Sequence, residues 1–334
     1  MAPPEAEVVV ITGARAGVGR ATAQAFACLG ARIGLLARGE EELETAKREI
    51  ETLGGQAVAI PTDVADPEQV EHAAALVEDT FGPIDIWINN AMTTIFAPFI
   101  EISPADFKRA TEVTYLGYVY GTRAALKRML PRNRGTIVQV GSALAYRSIP
   151  LQAPYCGAKF AIRGFTDALR SELIHDGSHV HVTMVQMPAL NTPQFEWCKT
   201  RLPRHPQPIP PIFQPEVAAQ AIVWAAHHRR REIYVGFSSQ RAIWANKLIP
   251  GLLDRYLARI GYRGQQSNEP IEPNRPDNLW TSVPGGFSAH GRFNKRARPY
   301  SAQLWLNLHR GWATLIALGI AIPAITAIFY LFGK

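Results

Sequence analysis

Cysteine is scarce in this chain of 334 residues: Cys28, Cys156 and Cys198 are the only three. Their number and spacing fit neither a disulfide framework nor a metal site with paired ligands. A reducing compartment is therefore the default, with Cys28 expected as a core helix residue. The N-terminal stretch lacks a basic n-region and a long apolar h-region, so a cleaved signal peptide is not expected. No internal repeat is visible. Acidic residues run out toward the end of the chain. Residues 1–240 carry 23 Lys and Arg against 24 Asp and Glu, whereas residues 241–334 carry 12 against 4. From Gly311 to Gly333 no residue is charged. The overall charge of +7 thus sits in a tail that ends in an apolar segment, which favours a membrane surface over nucleic acid as its partner.

What is present is enough apolar material, 47%, for one large α/β domain plus appendages. Val8-Val9-Val10-Ile11 reads as a strand, followed by Thr12-Gly13-Ala14-Arg15-Ala16-Gly17-Val18-Gly19 and a helical Arg20 to Leu29. Strand, glycine turn and helix in that order build a phosphate site. Glycines let the backbone approach the ligand, and the helix N-terminus supplies free N–H groups and the positive end of its dipole. A second strand, Arg32 to Ala37, ends at Arg38. A carboxylate there would accept bonds from a free ribose 2′-hydroxyl, whereas Arg pairs with a 2′-phosphate. Arg15, inside the glycine turn, would bracket that phosphate from the other side, so NADP is expected in preference to NAD.

Further strands follow at Gln56 to Ile60, Ile84 to Ile88, Gly135 to Val140, Val180 to Gln186 and Ile233 to Val235, with helices between them. This alternation predicts a doubly wound parallel α/β sheet. Asp63, at a strand end, is placed to contact the adenine amino group. Pro104 to Leu130 reads as one long helix containing Thr114, and Asp66 with Pro67 caps the helix that runs to Phe81. The run from Met187 through Pro215 is irregular and rich in Pro, as expected of a substrate loop or lid, and its Phe195, Trp197 and Phe213 are candidates either to line an apolar pocket or to anchor the loop to the body.

The chemistry centres on Tyr155-Cys156-Gly157-Ala158-Lys159, with Ser142 thirteen positions earlier. Positions i and i+4 share a helix face, so the phenol and the ammonium point into one cleft. A fixed cation favours the phenolate and is expected to bring the Tyr155 pKa from ~10 toward neutrality. Ser142, after an apolar strand, would hold a substrate oxygen beside the phenol.

Taken together, Thr12-Gly13-x-x-x-Gly17-x-Gly19, Asn89-Asn90-Ala91, Ser142, Tyr155-x-x-x-Lys159 and the Pro188 segment resemble the classical short-chain dehydrogenase/reductase family over residues 7 to 240. The resemblance implies a seven-stranded Rossmann-type sheet and NAD(P)-dependent hydride transfer between a carbonyl and an alcohol. It implies Tyr155 as general acid and base, Lys159 as its pKa-lowering partner and ribose ligand, and Ser142 as carbonyl orienter. Gly13, Gly17, Val18, Gly19, Asp63, Val64, Asn90, Ala91, Pro188 and Thr192 would join Arg15, Arg38, Tyr155 and Lys159 as cofactor contacts. Three positions depart from the pattern. Thr114 stands where the family has a catalytic Asn that holds a relay water, and its hydroxyl is expected to do part of that work. Met92 and Ala189 replace glycines beside the nicotinamide, which makes the Met92 side chain a candidate for substrate selectivity.

The division expected is a catalytic domain over residues 1–240, a basic, partly helical extension over 241–310, and a transmembrane helix over 311–333. Trp244, Leu248, Leu252 and Tyr256 recur every fourth residue in a helix spanning Ala242 to Ile260. Trp312 to Phe332 reaches the roughly 20 apolar residues a span needs, and the arginines ahead of it keep the catalytic domain on the cytoplasmic side. The function expected is an NADP-dependent, single-pass membrane oxidoreductase acting on a small hydrophobic carbonyl or alcohol, assembled as a homodimer or tetramer. The alternative is a catalytically silent NADP-binding scaffold or redox sensor at a membrane.

Overall fold

Apolar, β-branched runs make the central strands: β1 (Val8–Thr12), β2 (Arg32–Ala37), β3 (Gln56–Pro61), β4 (Ile86–Asn89), β5 (Thr136–Ser142), β6 (His181–Met187) and β7 (Glu232–Tyr234). They pair in parallel in the order β7-β6-β5-β4-β1-β2-β3. All five residues of β1 are buried, as a strand covered on both faces requires. The computed structural model describes residues 6–310 apart from 273, 286 and 287.

The crossover helices are α1 (Gly17–Ala27), α2 (Glu40–Thr52), α3 (Pro67–Phe81), α4 (Pro104–Thr111), α5 (Gly117–Met129), α6 (Ala153–His175) and α7 (Pro215–His227). One face of the sheet holds a core that includes Phe26, Ile33 and Ile222, and the other holds one that includes Val77, Trp87 and Met129. Each fully buried residue of this kind contributes about 1.5–3 kcal/mol over an exposed one. The strand order reverses between β1 and β4. Their C-terminal ends therefore flank the crevice in which an open α/β sheet binds its ligand. The single helix expected over Pro104 to Leu130 is interrupted by a π-helical turn, Glu112–Leu116, which carries Thr114. Cys28, expected in the core, is exposed, because it follows the last inward-facing residues of α1, Phe26 and Ala27.

The extension departs from its sequence-based expectation. The helix expected over Ala242 to Ile260 is two, α8 (Phe237–Leu248) and α9 (Pro250–Gly264), because Pro250 cannot donate back into α8 and starts a new helix instead. Gln266–Pro270 then pairs antiparallel with Arg204–Pro206. Ala297–Arg298 joins a parallel three-stranded sheet with Ile212–Phe213 and Ala189–Leu190, and α10 (Ala302–Leu308) sends Leu304 and Leu308 into the main core. The irregular run from Met187 to Pro215 is thus pinned by strand partners distant in sequence. Among the described residues no helix is long and apolar enough to cross a membrane, and the span expected over 311–333 lies outside them.

Candidate active site

The glycine turn is built by close backbone contact. Thr12 Oγ1 donates to the Ile88 carbonyl (3.3 Å) and accepts from the N–H groups of Asn90 (2.9 Å) and Ala91 (3.0 Å), tying the end of β1 to the end of β4. Asn90 Nδ2 returns a bond to the Thr12 carbonyl at 2.9 Å. Gly13 has φ +70°, and a Cβ there would stand 2.8 Å from the Ala91 Cα, so both the conformation and the space demand glycine. A Cβ at Gly19 would meet the Gly13 carbonyl oxygen at 2.3 Å, which is why α1 can pass directly beneath the turn. The resulting cleft is lined by Gly13, Arg15, Gly17, Val18, Arg38, Asp63, Val64, Asn90, Ala91, Met92, Thr192 and Trp197, and by Asn278 from the extension.

At the catalytic end, β5 delivers Ser142, and the first two turns of α6 carry Tyr155 and Lys159. Ser142 Oγ caps the following 3-10 turn by accepting from the Leu144 N–H at 3.1 Å, and its hydroxyl is the neighbour that favours ionisation of the Tyr155 phenol. The spacing on α6 behaves as expected: Lys159 Nζ lies 5.5 Å from the Tyr155 ring centroid. The electrostatics do not. Lys159 is buried, and its Nζ donates to the Val140 carbonyl (2.7 Å) and to the Tyr118 hydroxyl (3.1 Å) rather than to the Tyr155 hydroxyl. Burial depresses the Lys159 pKa to about 7 and raises that of Tyr155 well above its ordinary value, the Ser142 hydroxyl only partly opposing the rise. The expected lowering of the phenol by its neighbour is therefore corrected: desolvation acts against the charged form of both groups.

Tyr118, which the sequence reading missed, completes this network. It is buried in α5, donates to the same Val140 carbonyl at 2.9 Å and accepts from Lys159. Its place four residues after Thr114 on one helical stretch was the available signal. Thr114 itself is fully buried. Its hydroxyl donates to the Thr93 carbonyl (2.9 Å) and accepts from the Thr93 N–H (3.0 Å). Its single proton is thus committed to holding the loop after β4, and the part-relay role expected for it is corrected to that of a brace.

At the adenosine end, a strap from the extension lies across the groups expected to read the ribose. Arg38 donates to the carbonyls of Trp280 (3.1 Å), Leu279 (3.3 Å) and Asn278. Arg15 donates to Ser282 Oγ (2.8 Å) and the Val283 carbonyl (3.0 Å), with its guanidinium 4.7 Å above the Trp197 ring. Asp63 pairs with Arg109 and caps the Ala65 N–H at 3.0 Å. At the start of α1, the Gly17 N–H donates to the Ser288 carbonyl at 3.1 Å.

Of the pocket residues read from the sequence, Met92 and Trp197 line this same cleft. Phe195 does not. It packs between Phe96 and Phe293, with ring centroids at 6.0 and 5.7 Å, in a small core under the loop, and so is corrected from pocket lining to anchor. Pro188 follows β6 and is not part of the cleft lining, and neither are Ser142, Tyr155 and Lys159.

Comparison with known proteins agrees with this geometry. A sequence model described as short chain dehydrogenase matches residues 7–200. The chain is 34% identical over 288 residues to an uncharacterized oxidoreductase, YxnA, of Bacillus subtilis (strain 168), with 86% of this chain and 80% of that protein covered. It is also 34% identical over 223 residues to a 3-dehydrosphinganine reductase of Danio rerio, covering 64% and 67%. Among solved structures, a metagenomic short-chain oxidoreductase in complex with NADP aligns with a TM-score of 0.58 at 25% identity, over 69% of this chain and 96% of that one.

Proposed function

The chain belongs to the short-chain dehydrogenase family and is an oxidoreductase, and from that premise we propose that it uses NADP(H) to interconvert a carbonyl and an alcohol on a hydrophobic substrate. The observation that carries the reading is Ser142 at the C-terminal end of β5 and Lys159 buried 5.5 Å from the Tyr155 ring, which bring the three groups together at the C-terminal edge of the sheet. The turn fits a dinucleotide. Gly13 and Gly17 keep side chains out of the approach to α1, and the residue directly after β2 is Arg38 rather than a carboxylate, while Glu42 stands 3.6 Å from Arg15. Arg15 and Arg38 each spend only part of their five N–H donors on the strap, which leaves donors for that phosphate.

When bound, the dinucleotide supplies or takes up the hydride. The chain manages the proton. Burial keeps the Tyr155 phenol protonated at neutral pH, the state a general acid needs to protonate a carbonyl oxygen that Ser142 orients. Lys159, held by the Val140 carbonyl and Tyr118 against the phenol ring, would in its charged form stabilise the phenolate left when that proton is given up.

Support for a hydrophobic substrate comes from a cavity of about 860 Å³ that includes Ala143 and Leu144, the residues after Ser142, and whose walls are mainly apolar (Ile149, Phe213, Leu253 and Leu257) with Arg147, Arg241 and Arg298 among them. The name of the Danio rerio relative, a 3-dehydrosphinganine reductase, points the same way. We further assign residues 311–333 as a single membrane span with the catalytic domain on the cytoplasmic side, so the protein should stay in the pellet after an alkaline carbonate wash, and release by that wash would remove this assignment. A silent scaffold is the second reading, favoured by the committed Thr114 proton. Following NADPH consumption over a panel of retinoid, steroid and long-chain keto substrates decides between them. Tyr155→Phe should lower turnover about 10²–10⁴-fold with NADPH affinity unchanged. Turnover equal to wild type would overturn the enzyme reading, and turnover of small water-soluble carbonyls alone would overturn the substrate class.

A further inference from the structure

The surface formed by α8 and α9 carries an apolar line that the fold leaves uncovered. Trp244, Leu248, Leu252, Tyr256 and Ile260 recur every fourth residue across both helices, and all five are exposed, from 40% at Ile260 to 76% at Leu248. Within α9 only Gly261 is buried, so the outward side of this helix adds little to any core despite its Leu and Tyr content. Exposed apolar side chains gathered in this number on two successive helices mark a contact surface.

Charge identifies the partner. Residues 237–264 contain Arg241, Lys247, Arg255, Arg259 and Arg263 but one acid, Asp254, and that acid is held by Arg147 on the protein body at 2.6 Å. Arg255, Arg259 and Arg263 each follow an apolar residue of the line by three positions, so each stands beside its neighbour on the helix surface. All three are exposed, and none meets a carboxylate among the described residues. An apolar stripe edged with long cationic side chains fits the boundary between acyl chains and anionic headgroups, where the stripe is buried and the guanidinium groups reach phosphate. A second copy of the chain fits poorly, because a two-fold contact would set these arginines against their own copies. Segment 311–333 is uncharged and offers the arginines nothing.

We propose that the α8–α9 surface lies flat on an anionic membrane, with Trp244, Leu248, Leu252, Tyr256 and Ile260 in the interface. Leu253 and Leu257, and Tyr256 of the stripe itself, line the cavity that includes Ala143 and Leu144, so docking sets that cavity against the lipid. The inference rests on this surface alone and is independent of both the catalytic reading and the span assigned to 311–333.

The test uses the full chain with Cys28→Ser, which leaves two buried cysteines, and Tyr256→Cys labelled with an environment-sensitive nitrobenzoxadiazole fluorophore. On phosphatidylcholine vesicles containing phosphatidylglycerol, the label should brighten several-fold and shift to the blue, and on phosphatidylcholine alone it should do so far less. Changing Arg255→Gln, Arg259→Gln and Arg263→Gln together should raise the lipid concentration for half-maximal response by roughly a hundredfold. An unchanged melting temperature in these surface variants confirms folding. A label that stays aqueous while the protein sediments with vesicles would overturn the proposal and leave attachment to another segment. Protection that grows with protein concentration in the absence of vesicles would overturn it in favour of a second copy.

Discussion

The two ends of the cleft are assembled over very different distances along the chain. At the catalytic end, Lys159 reaches Val140 and Tyr118 across separations of 19 and 41 residues. At the adenosine end, Arg38 and Arg15 reach their strap partners across separations of 240 to 268. The first end belongs to the sheet and its own crossover helices, so its groups are held by helix periodicity and strand direction. The second is closed by a Pro-, Gly- and Asn-rich segment returning from beyond α9, and its geometry depends on where that segment is anchored. On the reading proposed above, the chemistry sits on the sheet and its crossover helices, and cofactor selection is shared with a part that ties back late in the chain.

This contrast predicts that damage at one end lowers turnover while damage at the other weakens cofactor binding. The largest effect after Tyr155→Phe is expected for Lys159→Met, with kcat down about 10²–10³-fold and KM for NADPH little changed. Equal losses in kcat and NADPH affinity would blur the distinction between the ends. Next, Arg38→Ala should raise KM for NADPH about 10–100-fold, as expected for lost charge-assisted bonds of about 1.5–3 kcal/mol, and leave NADH use nearly unchanged. Unaltered NADPH affinity would refute the role given to that arginine.

Smaller effects sharpen the comparison. Thr114→Val removes two buried hydrogen bonds to the Thr93 backbone and should destabilise the fold by about 1–3 kcal/mol in chemical denaturation while kcat stays within a few-fold of wild type. A collapse of kcat at unchanged stability would return Thr114 to the proton path. Lys159 also predicts a pH signature. Its folded pKa near 7 lies below the ordinary 10.5, so between those values the unfolded state binds more protons and stability rises with pH. The melting temperature of wild type relative to Lys159→Met should therefore climb from pH 7 toward pH 10 and be flat below pH 7. A difference that stays constant with pH would show that the ammonium is not desolvated.

Much of the catalytic end was legible beforehand. The glycine turn, Asn90, Ser142, Tyr155 and Lys159 fall where strand, turn and helix signals place them, because parallel strands deliver their C-terminal residues to one edge. Tyr118 escaped notice because its partners, Lys159 and the Val140 carbonyl, lie on other elements. The opposed shifts of Tyr155 and Lys159 were equally hidden, since spacing reports proximity and says nothing of desolvation. The two readings of Phe195, pocket wall or loop anchor, stayed open for a similar reason: an aromatic in a Pro-rich loop has the same letter whether it faces a ligand or, as here, Phe96 and Phe293.

The amino-acid order by itself determined the parallel α/β sheet, the dinucleotide turn and the pairing of Tyr155 with Lys159, since each follows from local periodicity and from backbone space that glycine alone leaves open. Only the tertiary structure decided that Arg15 and Arg38 are gripped by residues 278–283, that Thr114 braces Thr93, and that the outer side of α9 is left bare. Those outcomes depend on long-range closure and burial, which set the partners and the solvation of each side chain without leaving a periodic trace in the chain.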